Sequence, residues 1–593
     1  MGKRRLVHIS IFLCAALLLA ACSRGQESGA GSAADCPEQV FPLAEPDYTE
    51  KRRRDLSPFE AGLAQFSPAQ AQQLDALLIG RTIPEIQAMM EAGELNSVEL
   101  VMYYLARIQQ YDLDKLNSVL ELSPDVLAEA QALDEARAAG ELRGPLHGIP
   151  VLVKDNIAVA GGLHTAAGAY ALKDWQTNRD AFLVGQLRQA GAIILGKANL
   201  SEWANYMDAC MPNGFSVLGG QTRHPYGPFD PLGSSTGSAV SVAADLVTAS
   251  VGTETQGSII LPSMVNGVVA LKTSRGLVSR DNIIPLVDWH DVPGPIGRSV
   301  TDVAVMLSAM TGVDPGDPDS QAASSLAGVD FTQFLSLEQA QKLRVGVVGQ
   351  SAEEFQKVLE PSLTQAADEK GSALTAAEIE GITREFALAI NAAQPIVDVF
   401  ASQGIEAVVI DHAKVSGFRT DISSTLEYGF QDSFNRFMAS LGDQAPLESL
   451  ADVARINAED LPNRAPYGQG YVTGSLNTKI TAEEYAAMVA EQRDGAAEFL
   501  RGLLEKHDVD VLVTSTQEYA AAGFPALTVP SGVYPTGGMG LVPAGRPYGI
   551  ILVGDYLSEP QLLAVGYAYE QAVQGRVAPD LDAAIQAIEV IGK

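Results

Sequence analysis

Two short stretches rich in glycine and serine hold residue types suited to nucleophilic hydrolysis. Residues 230–240 read DPLGSSTGSAV and residues 252–258 read GTETQGS, which together offer Ser234, Ser235, Ser238 and Ser258. The run from Gly233 to Gly237 fits G-x-S-x-G, the strand-to-helix elbow in which Ser235 would attack. Its context does not fit, because the preceding Asp230-Pro-Leu-Gly is turn-like rather than a strand. Ser258 is better placed, since it follows a loop whose backbone N–H groups can surround the oxyanion its own attack creates. A serine nucleophile also needs a base. Lys154 closes the apolar run IPVLV, and burial of a lysine favours the neutral amine, which can accept a proton.

Other chemistries lack their residues. The seven histidines are scattered, and no H-E-x-x-H, C-x-x-C or phosphate-binding glycine loop is present. This disfavours metal- and nucleotide-dependent catalysis, and no cofactor is expected. His147 precedes Gly148 in a loop and reads as packing rather than as the base of a Ser–His pair. Asp155 and Asn156 read as holders of the lysine loop, Lys197 and Lys272 as structural, and Ser235 and Ser238 as hydrogen-bonding supports of the Gly/Ser loop.

These groups must be positioned by regular elements. Helical spacing of Leu95, Val98, Met102, Leu105 and Ile108, with Asn96 and Glu99 in a capping-box pattern, predicts a helix over 97–110. A second helix is expected over 125–139. The run 145–154 is of strand type, and helix 180–190 feeds a strand at 192–195. Short strands follow at 343–348, 407–410 and 509–513, with helices at 376–402 and 482–507 between them. Residues 238–246 form a small-residue helix joining the two serine segments. This alternation predicts an α/β fold with a single large domain over 61–593, within which 315–480 is a variable helical region.

The chain has 593 residues, 47% of them apolar and 19% charged, an ordinary globular composition. Its net charge of −32 makes nucleic acid a poor partner, because a polyanionic surface repels phosphate. Lys3, Arg4 and Arg5 precede an apolar stretch from 9 to 21 that is too short to span a bilayer comfortably and reads as a secretory signal over 1–22. It ends in Leu-Ala-Ala-Cys22, which resembles the bacterial lipobox. That resemblance implies lipidation at Cys22 and anchoring in the cell envelope, with Ser23 pointing to the periplasmic face of the outer membrane. Residues 23–60 read as a flexible tether. Of four cysteines, Cys36 and Cys210 remain in the exported chain, either paired in an oxidising compartment or as two thiols.

HGIPVLVKDNI, GSSTGSA and GTETQGSIILP, in that order, resemble the amidase signature family. GAIILGKANLSEWAN, GGQTRHPY, DVPGPIGRSVTD and AGFPALTVPSG extend the likeness to the C-terminal tail. The wording LSEWAN, GGQTR and GTETxGSI is similar to the bacterial peptide-amidase branch. The resemblance implies a central mixed β-sheet covered by helices on both faces, and a catalytic set of lysine, cis-serine and serine. On matching positions these are Lys154, Ser234 as relay and Ser258 as nucleophile. The backbone N–H groups of Thr255, Gln256, Gly257 and Ser258 are then the oxyanion donors. The implied substrates are carboxamides of peptide-amide or aryl-amide type, with esters and carbamates as alternatives. A binding lipoprotein that keeps the fold without catalysis is the non-enzymatic alternative. Family subunits that act on aminoacyl-tRNA work in the cytosol, which the export signal disfavours. Two positions depart from the family pattern: Gln256 stands where glycine is usual, and Ile260 where arginine is usual. Glu254 must therefore find a partner other than that arginine.

Overall fold

The computed structural model describes residues 36, 39, 41, 44–52, 54–370, 372–415, 417–535 and 541–591. Residues 1–22, read from sequence as a signal ending in Cys22, lie outside the described residues.

The strands are β1 (Val119–Leu122), β2 (Pro150–Lys154), β3 (Ile193–Ala198), β4 (Phe215–Ser216), β5 (Gly220–Gln221), β6 (Ala249–Glu254), β7 (Val269–Lys272), β8 (Val292–Gly297), β9 (Arg344–Gly349), β10 (Glu406–Asp411), β11 (Val511–Val513), β12 (Ala526–Val533) and β13 (Pro547–Val553). Eleven of them form one sheet in the order β1-β3-β2-β6-β8-β7-β12-β13-β11-β9-β10, and β4 and β5 form a separate pair. The sheet is mixed. β2 runs parallel to both β3 and β6, whereas β6, β8, β7, β12 and β13 are successively antiparallel.

Alternation along the strands builds two cores. Val511, Val513, Leu527, Val529 and Leu552 point into the larger one with Leu562 and Leu563 of the helix Glu559–Val573. Leu512, Ala526, Ile551 and Val553 point the other way, onto Leu500, Leu503 and Leu504 of the helix Ala482–His507. Successive side chains of a strand face opposite sides, so both faces need a helical cover. The chain is a single large α/β domain of this kind.

β2 is buried at all five positions, because a strand between two parallel neighbours in a doubly covered sheet has no solvent face. After β5, helix α1 (Thr236–Ala243) is also buried throughout. Its small residues permit this: a Cβ on Gly237 would stand 2.3 Å from the Ser118 carbonyl and 2.4 Å from that of Asn199. Helix α2 (Ile260–Val265) follows β6. The helix expected over 376–402 is two, Ala376–Ala389 and Gln394–Ser402. Asn391 takes φ +54° at the break and Pro395 opens the second helix, a position where the missing N–H costs nothing. Helices α3 (Ser423–Ser440) and α4 (Ala482–His507) lie within and just after residues 315–480.

The N-terminal segment is held more firmly than a flexible tether over 23–60 implies. From Ala44 it lies along the domain. Arg54 pairs with buried Asp112 at 2.6 Å, Arg52 N–H donates to the Leu218 carbonyl at 2.8 Å, and Tyr48 meets the edge of Phe215. Arg54, with its side chain 6% exposed, would be costly to bury without Asp112. Cys36 and Cys210 form a disulfide that staples the strap to the loop before β4.

Candidate active site

Lys154 ends β2 and Glu254 ends β6, so the carboxyl ends of two adjacent parallel strands open into the same place. Ser234 lies just before α1, after a cis peptide bond between Gly233 and Ser234. The Ser235 N–H donates to the Ser258 carbonyl at 3.0 Å, tying the two serine segments together. Lys154, Ser234 and Ser235 are fully buried, and Ser258 is 6% exposed.

The lysine amine sits among three oxygens: Ser234 Oγ at 2.8 Å, Ser235 Oγ at 3.0 Å and the Thr253 carbonyl at 3.0 Å. An ammonium could donate to all three. A neutral amine donates two and needs one donor for its lone pair. The carbonyl has no proton to give. Ser235 already spends its hydroxyl proton on the Thr253 carbonyl at 2.9 Å, while its oxygen accepts the Thr253 N–H at 3.2 Å. Ser234 alone of the three has a hydroxyl proton free for the lysine. Burial pushes the Lys154 amine down to about 7, against the opposing pull of the Asp291 and Glu254 carboxylates.

Residues 255–258 turn from β6 into α2. Gly257 has φ +76°, and a Cβ there would meet Leu261 Cδ1 at 2.7 Å, so this position needs glycine. Gln256 is not among the positive-φ residues, which explains why a side chain is tolerated where glycine is usual. Among the described residues, no hydrogen bond occupies the backbone N–H groups of Gln256, Gly257 or Ser258. Glu254 finds its partners in the backbone. Its Oε2 accepts the N–H of Ile259 at 2.7 Å and of Ile260 at 2.9 Å, with the buried Lys272 ammonium as a nearby charge. A carboxylate at the opening of α2 satisfies donors that a helix leaves unpaired, and it does so without arginine at 260.

Comparisons with known proteins place the chain in a family. The family model described as Amidase matches residues 99–450. A probable amidase of Arabidopsis thaliana is 34% identical over 508 residues, 84% of this chain and 91% of that protein. The structure of native peptide amidase from Stenotrophomonas maltophilia superposes with a TM-score of 0.70 at 36% identity, covering 84% of this chain and 98% of that one. An amidase family protein from Bacillus anthracis gives a TM-score of 0.76 at 34% identity, over 91% of this chain and 100% of that one. The chain belongs to the amidase signature family. It is an amidase, an enzyme that hydrolyses amide C–N bonds.

The remaining residues of the amidase singled out from sequence fall into supporting places. Asp155 accepts the Gly168 N–H at 2.9 Å and stands 3.8 Å from Lys197. Asn156 Nδ2 donates to Thr253 Oγ1 at 3.1 Å. Ser238 Oγ donates to the Val251 carbonyl at 3.2 Å, and Lys272 to the Phe524 carbonyl at 2.8 Å. His147 is bound to the Arg143 N–H and the Leu133 carbonyl, and makes no contact with the serines. What sequence reading missed is Ser235 as a direct partner of the lysine, and the residues that hold Thr255. Of the second set, Asp291 opens DVPGPIGRSVTD, a motif that pointed to the family without saying what it touches, and His290 immediately precedes it.

A cavity of about 670 Å³ lies beside the start of the loop that carries Ser258, lined by Asn156, Thr253, Thr255 and Asp291 together with Arg436 and Tyr485 from α3 and α4. That volume suits a ligand larger than a simple primary amide.

Proposed function

We propose that the amidase works through Ser258 as nucleophile, Ser234 as proton relay and Lys154 as base. Ser258 Oγ attacks the amide carbonyl carbon. Its proton passes to Ser234 Oγ as the Ser234 proton passes to Lys154 Nζ. The oxyanion of the tetrahedral intermediate takes the N–H groups of Thr255, Gln256, Gly257 and Ser258. On collapse the C–N bond breaks, the leaving nitrogen receives the proton held by the relay, and an acyl–Ser258 ester remains. Water then attacks that ester by the same route in reverse, giving the carboxylate product. The observation that carries this reading is the proton inventory at Lys154: only Ser234 has a hydroxyl proton to give to a lysine whose neutral form burial makes available from about pH 7 upward.

The substrates we infer are peptide amides and aryl amides. The cavity size supports this, as does the similarity to a protein named peptide amidase. The test is a panel of peptide C-terminal amides, anilides, esters and carbamates, run on wild type and Ser258→Ala. Turnover of amides and serine-directed fluorophosphonate labelling, both lost in Ser258→Ala, are the expected result. Turnover that survives Ser258→Ala would sink the reading.

We also infer that the protein is exported and lipid-anchored at Cys22, from the signal-like segment and its terminal cysteine. Among the described residues no helix is long and apolar enough to cross a membrane. Cys22→Ser should move the protein from the membrane fraction to the soluble periplasmic fraction. An unchanged distribution would reject the anchor.

A further inference from the structure

Thr255 opens the loop that carries Ser258, and it is gripped from outside that loop. β6 and β8 are antiparallel with Glu254 opposite Val292, so the next residues, Thr255 and Asp291, face each other where the strands part. The Thr255 hydroxyl donates to Asp291 Oδ1 at 2.6 Å. The Thr255 carbonyl lies 2.7 Å from His290 Nδ1. A carbonyl only accepts, so Nδ1 carries the proton, and burial keeps the ring neutral by pushing its pKa down to about 3. Asp291 is fixed in turn: Oδ2 accepts the N–H of Leu286 at 2.7 Å and of Val287 at 2.9 Å. Two consecutive residues therefore hold Thr255 at both its hydroxyl and its carbonyl, and four hydrogen bonds converge on the assembly.

Burial raises the Asp291 carboxyl to about 6, so it is largely ionised from neutral pH upward, and that charge has a second consequence. The titratable and charged groups around it are Lys154 from β2, Glu254 from β6, His290 beside it, Asp288 on its own loop and Tyr485 from α4. The nearby arginines of the cavity are committed elsewhere: Arg275 to Asp319, Arg280 to Asp317 and Asp319, and Arg436 to Asp288 and Asp432. Lys154 is the cation whose charge appears and disappears during turnover, and Asp291 heads the carboxylates that it feels.

We propose that Asp291, together with His290, is a positioning residue of the amidase: it holds Thr255 so that the loop presents its N–H groups, and it supplies the negative charge that Lys154 meets on taking up a proton. This rests on the proposed roles of Lys154, Ser234 and Ser258.

The experiment follows fluorophosphonate–rhodamine labelling of the whole protein from pH 5 to 9. Ser258 Oγ bonds to phosphorus and fluoride leaves, while the serine proton goes to the relay. Asp291→Asn should cut the plateau labelling rate by about tenfold to a hundredfold, the scale expected for a misplaced catalytic loop. It should also move the acid limb down by about half to one pH unit, because removing a negative charge lowers the lysine pKa. Asp291→Glu should restore part of both. Thr255→Val, which keeps the charge and removes the grip, should lower the plateau and leave the limb in place. An Asp291→Asn protein with wild-type melting temperature, plateau and limb would overturn the proposal. If that variant does not fold, an unchanged plateau in Thr255→Val overturns the positioning role by itself. Labelling that persists in Ser258→Ala would instead reject the underlying triad.

Discussion

Lys154 offers the sharpest quantitative test, because the same burial that makes it a base sets the pH at which it works. An ordinary lysine titrates at 10.5, and this one is lowered to about 7. The difference of three to four units is roughly 5 kcal/mol of preference for the neutral amine, at about 1.4 kcal/mol per unit. At pH 8 about nine-tenths of Lys154 is neutral, against about 0.3% of an unshifted lysine, so burial raises the supply of base roughly 300-fold. At pH 6 the neutral fraction falls to about a tenth. The expected profile of kcat/KM against pH therefore rises with unit slope to a midpoint near 7 and is flat above it. The assay is initial-rate hydrolysis of whichever amide the panel identifies, from pH 5 to 10 at constant ionic strength. A midpoint above pH 9, or a profile still flat at pH 5, would refute the reasoning. Stability gives an independent check. Between about 7 and 10.5 the unfolded chain binds a proton that the folded one does not, so stability rises with pH across that window and the full penalty is present below it. Lys154→Met removes that penalty in a buried site. It should abolish turnover yet melt no lower than wild type at pH 6, as followed by calorimetry.

Ser234→Ala should reduce fluorophosphonate labelling by about a hundredfold to ten-thousandfold, the range of a lost proton relay. Ser235→Ala should stay within about tenfold of wild type, since it loses only hydrogen bonds to Thr253 and Lys154; equal losses would revive the elbow reading. Glu254→Ala strands the N–H groups of Ile259 and Ile260, and should cost about 1–3 kcal/mol in urea denaturation. Glu254→Gln, which keeps an acceptor, should cost less. Reduction of the Cys36–Cys210 disulfide, or Cys36→Ser, releases a loop of 174 residues and should lower stability by up to about 5 kcal/mol on a chain-entropy account. A melting temperature indifferent to reductant would mean that the docked strap holds without the bridge.

The local pattern was legible for physical reasons. IPVLVK shows a strand without a solvent face that ends in a lysine, because a doubly covered parallel strand has no use for alternation. The run GSAVSVA shows a helix that backbone atoms will approach closely, because it carries almost no side-chain volume. The order of the motifs was enough to name the family and to list Lys154, Ser234 and Ser258 together. Local pattern also has limits: a periodic stretch over 376–402 hides its break, and a Gly/Ser-rich N-terminus reads as tether even where Arg54 meets Asp112.

What the linear sequence alone determined is thus the inventory: which strands are buried, which serines stand beside glycines, and which lysine closes an apolar run. Which serine has a proton to spare was decided only in three dimensions. Ser234 and Ser235 are neighbours of the same type, and they differ because the Thr253 carbonyl, eighteen residues beyond Ser235, takes the hydroxyl proton of one and not of the other. Thr255 and Asp291 are likewise 36 residues apart and meet only through the register of β6 against β8. Hydrogen-bond partners are set by which chain segments the sheet brings together, and that pairing is a property of the tertiary structure.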